Sequence, residues 1–121
     1  INADANVIIA SRRKDVLTKA ANKLNALGKG KAIPVVCDIR KKKDISNVMK
    51  TAKKHFSSID ILVNNAGLGV TSKIVDCTDE EWDLVLDTNL KGVFWMTREI
   101  LPAMILLNTG DEFVGHVSLG R

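Results

Sequence analysis

The 121-residue sequence has no Tyr, two Cys and two Pro, and its three Phe and two Trp bring the aromatic share to only 4%. Each shortage excludes something. Cys37 and Cys77 have no Cys-x-x-Cys spacing and no His at ligand spacing, so neither a disulfide framework nor a metal site is expected; two isolated thiols fit a reducing, cytoplasmic setting. No apolar run approaches the roughly 20 residues of a membrane-spanning helix, so no membrane partner is expected. Lys and Arg number 18 against 14 Asp and Glu, a net charge of +4. With so few aromatics to act as stacking platforms, the run Arg40-Lys41-Lys42-Lys43 reads as a solvated helix face, and no nucleic-acid partner is expected.

What is present is ordinary for a globular protein: 45% hydrophobic and 26% charged residues, with material for one domain over 1–121. Residues 7–10 (Val-Ile-Ile-Ala) read as a buried strand. Val16, Leu17, Ala20, Ala21, Leu24 and Leu27 then recur at helical spacing, with Gly28 as the stop. Residues 32–37 form a second strand, which Pro34 places near a sheet edge. Ile45, Val48, Met49, Ala52 and Phe56 mark a second helix. Asp60-Ile61-Leu62-Val63 is a third strand, too short for a helix and apolar enough to be buried on both faces.

Thr78 and Glu81 stand at capping-box spacing before a long helix over 79–107, whose end blurs around 102–107 and which is apolar on more than one side. A last strand is expected within 112–119. The alternation predicts an α/β fold with a doubly wound parallel sheet.

The third strand stops on Asn64-Asn65-Ala66-Gly67. Two amides supply donors and acceptors, and two small residues allow close approach of a ligand or a backbone; an Asx-type turn is the plainer reading. At the first strand's end stand Ser11-Arg12-Arg13 and no acid. Guanidinium groups there can grip a phosphate with paired bonds, or simply be solvated at a helix start. Asp38 and Ile39 close the second strand as an acceptor beside an apolar edge, unless Asp38 caps the next helix. Asn89 and Gly92 sit within Asp87-Thr88-Asn89-Leu90-Lys91-Gly92-Val93-Phe94, where neither favours a helix interior, so a distortion is expected.

Asp-Ile-Leu-Val followed by Asn-Asn-Ala-Gly, with Asn-Leu-Lys-Gly-Val-Phe after a Glu-Glu-Trp helix start, resembles the short-chain dehydrogenase/reductases. These are NAD(P)-dependent oxidoreductases on a Rossmann fold. The resemblance runs from Val7 to about Gly110. It implies that Arg12 and Arg13 hold the 2′-phosphate of NADP, with NAD less favoured. Asp38 and Ile39 would line the adenine pocket, Asn65, Ala66 and Gly67 the ribose side, and Asn89 would hold a water in a proton relay. Ser118 is the candidate catalytic Ser, or an ordinary Ser after a strand. The substrate would be a small carbonyl or alcohol, and assembly through the 79–107 helix would give a homodimer or homotetramer.

The family's Tyr-x-x-x-Lys pair and glycine-rich loop are not in these 121 residues. The residues are therefore expected to be the middle of a longer chain; if complete, the alternative is a non-catalytic Rossmann-like nucleotide- or partner-binding protein. The family's glycine-loop strand lies centrally in the order 3-2-1-4-5-6, so the first two strands and the Asn-Asn-Ala-Gly strand are expected to share no edge.

Overall fold

The computed structural model describes residues 4–107 and 115–117. Strand β1 (Val7–Ser11) leads into helix α1 (Lys14–Leu27), β2 (Ala32–Val36), α2 (Lys42–His55) and β3 (Leu62–Asn64). Helix α3 (Asp79–Leu86) continues through a π-helical stretch, Asp87–Lys91, into α4 (Gly92–Leu107), and β4 (Gly115–Val117) follows. β1 pairs with β2 in parallel, Val7 opposite Ala32 through Ser11 opposite Val36, and β3 pairs with β4 in parallel, Leu62 opposite Gly115. The described strands thus form two separate parallel pairs, as expected of strand groups without a common edge.

Strand periodicity explains the layering. Ile33 and Val35, on one face of β2, join the continuing Cys37 in a cluster with Ile45, Val48 and Met49 of α2 and Met96, Ile100 and Met104 of α4. Helix α1 buries Leu17 and Ala21 and packs against β1 and β2 without joining that cluster, so the sheet is covered from both sides. Asn25 fastens α1 to β2: its Oδ1 accepts from Ala32 N at 2.7 Å and its Nδ2 donates to Ala32 O at 3.1 Å.

Two expectations need correction. The third strand starts at Leu62, and it is not buried on both faces: Ile61 is 70% and Val63 60% exposed. β3 pairs with β4 alone among the described residues, and its other edge borders the cavity described below. The long helix ends at Leu107, within the expected 102–107 region; it runs through Pro102 because Ile100 and Met104 on either side are both buried and tertiary packing outweighs the lost backbone bond. The basic run is also not one helix face. Arg40 and Lys41 precede α2, which begins at Lys42, and Lys42 lies 4.9 Å from the centre of the Trp95 ring.

The capping box is present. Glu81 N donates to Thr78 Oγ1 and Thr78 N to Glu81 Oε2, both at 3.2 Å, with Asp79 and Glu80 in the same first turn. Ser72 adds a 2.7 Å bond to Glu81, so one carboxylate ties the 68–77 loop to the start of α3 and is held below its ordinary pKa, chiefly by that Ser72 bond. No helix among the described residues is long and apolar enough to cross a membrane.

Candidate functional site

In an open parallel sheet, side chains at the carboxyl ends of neighbouring strands converge where the strands diverge, and ligands bind there. Here the ends of β1, β2 and β3 open onto one cavity. Arg12, Asp38, Ile39, Asn65, Ala66 and Gly67 all line it. The same cavity continues down between the two strand pairs, bounded by Val7 and Ile8 on one side and Leu62 and Val63 on the other.

The two amides of the Asn-Asn pair do different things because successive strand residues face opposite ways. Asn64 turns inward, donating from Nδ2 to Thr97 Oγ1 on α4 at 3.2 Å, and fixes the strand end to the helix. Asn65 is exposed, as are Ala66 and Gly67, leaving a small-residue surface with one exposed amide at the cavity rim.

Asn89 lies in the π stretch, the distortion expected there. Its Oδ1 accepts from Leu68 N at 2.8 Å and its Nδ2 donates to Leu68 O at 2.7 Å. One side chain thus satisfies both backbone groups of the residue after Gly67, as Asn25 does for Ala32. A mid-helix Asn normally costs stability; here the widened turn presents it to a loop with no secondary structure to satisfy it. Asn89 does not line the cavity; it clamps the segment that does.

Asp38 is not a helix cap: Lys41 holds that position. Its carboxylate is gripped by Arg40, with Nε to Oδ1 at 2.9 Å, Nη2 to Oδ2 at 2.7 Å, and the Arg40 backbone N to Oδ1 at 3.0 Å. The Arg40 hydrogen bonds hold the Asp38 carboxyl down at about 2, below its usual 3.8, against some desolvation. Next to it, Ile39 is wedged against Gly92. A Cβ on Gly92 would come within 2.7 Å of the Ile39 side chain, so this glycine lets α4 approach the β2 end closely. Arg12 lines the cavity, whereas Arg13 does not; it is the residue preceding α1. Ser118 lies outside the described residues.

The family model for the short chain dehydrogenases matches residues 1–116. The chain belongs to that family. Among curated relatives it is 37% identical over 106 residues to an uncharacterised oxidoreductase of Staphylococcus aureus, covering 88% of this chain and 45% of that protein. It is 39% identical over 115 residues to a hydroxy-methyl-oxo-hexahydroindene-carboxyl-CoA reductase of Mycobacterium tuberculosis, covering 95% and 44%. Among solved structures, L-sorbose reductase from Gluconobacter frateurii complexed with NADPH and L-sorbose superposes with a TM-score of 0.78 at 27% identity, over 83% of this chain and 38% of that one. A short-chain type dehydrogenase/reductase from Mycobacterium marinum gives 0.83 at 31%, over 90% and 42%. The chain spans less than half the length of these relatives.

Short-chain dehydrogenases bind nicotinamide dinucleotides, and the residues present fit one. The rim at the three strand ends combines a guanidinium, an ionised carboxylate and a small-residue strand end. Thr88 is buried, its Oγ1 has no hydrogen-bond partner among the described residues, and the residue lines the same cavity. Thr18 and Thr51 satisfy their hydroxyls on carbonyls one turn back, at 2.9 and 2.8 Å, which Thr88 does not.

Thr88, Arg40 and the Ile39–Gly92 contact escape sequence reasoning. Arg40 was hidden inside a basic run, although an Arg two residues after an Asp at a strand end was a usable signal. Burial of a single Thr and contact between distant residues leave no periodic trace.

Proposed function

We propose that this chain forms the nucleotide-holding part of an oxidoreductase that moves a hydride between NADP(H) and the carbonyl or alcohol carbon of a small-molecule substrate. The observation that carries the reading is the convergence of Arg12, Asp38, Ile39, Asn65, Ala66 and Gly67, from three strand ends, on one cavity. When bound, the nicotinamide supplies or accepts the hydride, and one proton accompanies it. Arg12 grips the 2′-phosphate of the adenosine ribose, with Arg13 a nearby positive charge. Asp38 accepts from the adenine amino group and Ile39 covers the ring edge. Asn65, Ala66 and Gly67 lie along the ribose, and Asn89 serves the proton relay from its position behind that loop. Ser118 orients the substrate oxygen.

NADP is favoured over NAD because the end of β1 offers Ser11 and Arg12 and no carboxylate for a ribose 2′-hydroxyl. L-sorbose reductase is complexed with NADPH and a Burkholderia phymatum short chain dehydrogenase/reductase with NAD, so the preference rests on the β1 end alone. Trp82, Leu86, Leu90 and Phe94 are exposed at four-residue intervals along α3, the π stretch and α4, and support a homodimer or homotetramer through this face. Its two unpaired cysteines fit a cytoplasmic protein.

The test is titration of NADPH and NADH into wild type and Arg12→Ala. A charge-assisted phosphate contact is worth about 1.5–3 kcal/mol, so the variant should lose roughly 10- to 150-fold in NADPH affinity. NADH affinity should hardly change. Equal losses for both dinucleotides would remove Arg12 from phosphate recognition.

A further inference from the structure

The grip of Arg40 on Asp38 is more than a surface ion pair requires. Three hydrogen bonds run from one residue to one carboxylate: two from the guanidinium fork and one from the backbone. The carboxylate is only 13% exposed and the Arg40 side chain 32%. The backbone beneath is also pinned. Asp38 N donates to Asp44 Oδ2 on the first turn of α2 at 2.9 Å, and Lys41 N donates to Asp38 O at 2.9 Å. The negative charge of Asp87 on the π stretch adds a little to what favours the charged form of Arg40, and Asp87 is itself paired with Lys91 at 2.6 Å.

This grip has a chemical consequence. A carboxylate offers about four acceptor positions, two on each oxygen. Arg40 fills both on Oδ1 and one on Oδ2. One acceptor position, on Oδ2, is left for anything entering the cavity that Asp38, Ile39 and Arg40 all line. A carboxylate free to turn could serve several ligand geometries; one held by a planar fork serves one donor. Adenine presents an amino donor where hypoxanthine presents a carbonyl oxygen, which a carboxylate oxygen repels.

Building on the dinucleotide reading above, we infer that Arg40 is a positioning residue for purine recognition, holding Asp38 so that its single remaining acceptor reads the exocyclic amino group of adenine. Arg40 acts through Asp38 and supplies geometry rather than charge. Lysine carries the charge without the fork, so Arg40→Lys should fail where a purely electrostatic role would let it succeed.

The experiment titrates the purified full chain with NADPH and with its deaminated counterpart, which carries hypoxanthine in place of adenine, following nicotinamide fluorescence. Wild type, Arg40→Ala and Arg40→Lys are compared, with melting curves of the ligand-free proteins to show that each is folded. Wild type should prefer the adenine dinucleotide about tenfold, the equivalent of one good hydrogen bond. Both variants should reduce that preference to about threefold or less, by weakening the adenine dinucleotide alone. An unchanged preference in Arg40→Ala overturns the inference, as does full rescue by Lys or an equal loss for both dinucleotides, which would make Arg40 a phosphate contact. Wild type that binds both dinucleotides without preference overturns it too, while leaving the proposed function standing. Wild type that binds neither overturns both.

Discussion

Replacing Asn89 separates a clamp from a tolerated irregularity. Its side chain carries two hydrogen bonds of 2.8 and 2.7 Å to the two backbone groups of Leu68. At about 0.5–1.5 kcal/mol net for each bond, Asn89→Ala forfeits roughly 1–3 kcal/mol, eased because half-buried Leu68 can recruit water. Alanine returns up to about 0.7 kcal/mol of helix propensity, so the net loss should be near 1 kcal/mol.

Asn89→Asp is the sharper perturbation. Asp and Asn have similar helix propensity, and Asp keeps the acceptor for Leu68 N, but it sets an acceptor 2.7 Å from Leu68 O where a donor had been. It should cost about 2–3 kcal/mol, the penalty of a half-buried polar group left facing its like. Urea denaturation should rank the proteins Asn above Ala above Asp, and hydrogen exchange at Leu68 should quicken about tenfold for each 1.4 kcal/mol of local opening. Asp as stable as Asn, or Ala with unchanged exchange at Leu68, would refute the clamp.

Gly92→Ala should destabilise by about 0–2 kcal/mol in the same assay, since overpacking against Ile39 at about 1–3 kcal/mol outweighs a helix-propensity gain of at most ~1. Adding Ile39→Val should recover part of the loss, whereas a variant stabilised by the full propensity value would show that the contact is not tight. Burial, with repulsion from Asp44 and Asp38, pushes the Cys37 thiol from 9.0 up to about 11. The folded state favours the neutral thiol, so this contribution is complete below pH 9 and is lost as pH rises through about 11. Stability should therefore fall over that window, and less so in Cys37→Ala. Iodoacetamide at pH 8 should label Cys77 and spare Cys37 until the protein unfolds, and equal labelling in the folded state would contradict the burial.

Much of this was legible because it repeats or caps. Leu17 and Ala21, or Ile45, Val48, Met49 and Ala52, announce themselves by spacing, and Thr78 with Glu81 by a local rule that the structure obeys. Asn89 was legible as a violation of helix preference, though not that its amide would close on Leu68. The rest depends on contacts that no local pattern records. Asn64 and Asn65 look alike in sequence and part company only because strand residues alternate. Gly92 looks like a weak point until Ile39, fifty-three positions earlier, is found against it. Arg40 looked like one more solvated cation because its partner, two residues away, is reached through a turn rather than along a helix.

The most direct measurement is hydrogen exchange of the full chain with and without NADPH. If the ends of β1, β2 and β3 hold the dinucleotide, backbone amides around Arg12, Asp38 to Arg40 and Asn65 to Leu68 should slow together on binding, while those of α1 stay unchanged. NADPH that binds without slowing the three strand ends, or that protects only one of them, would contradict the convergence on which the account rests.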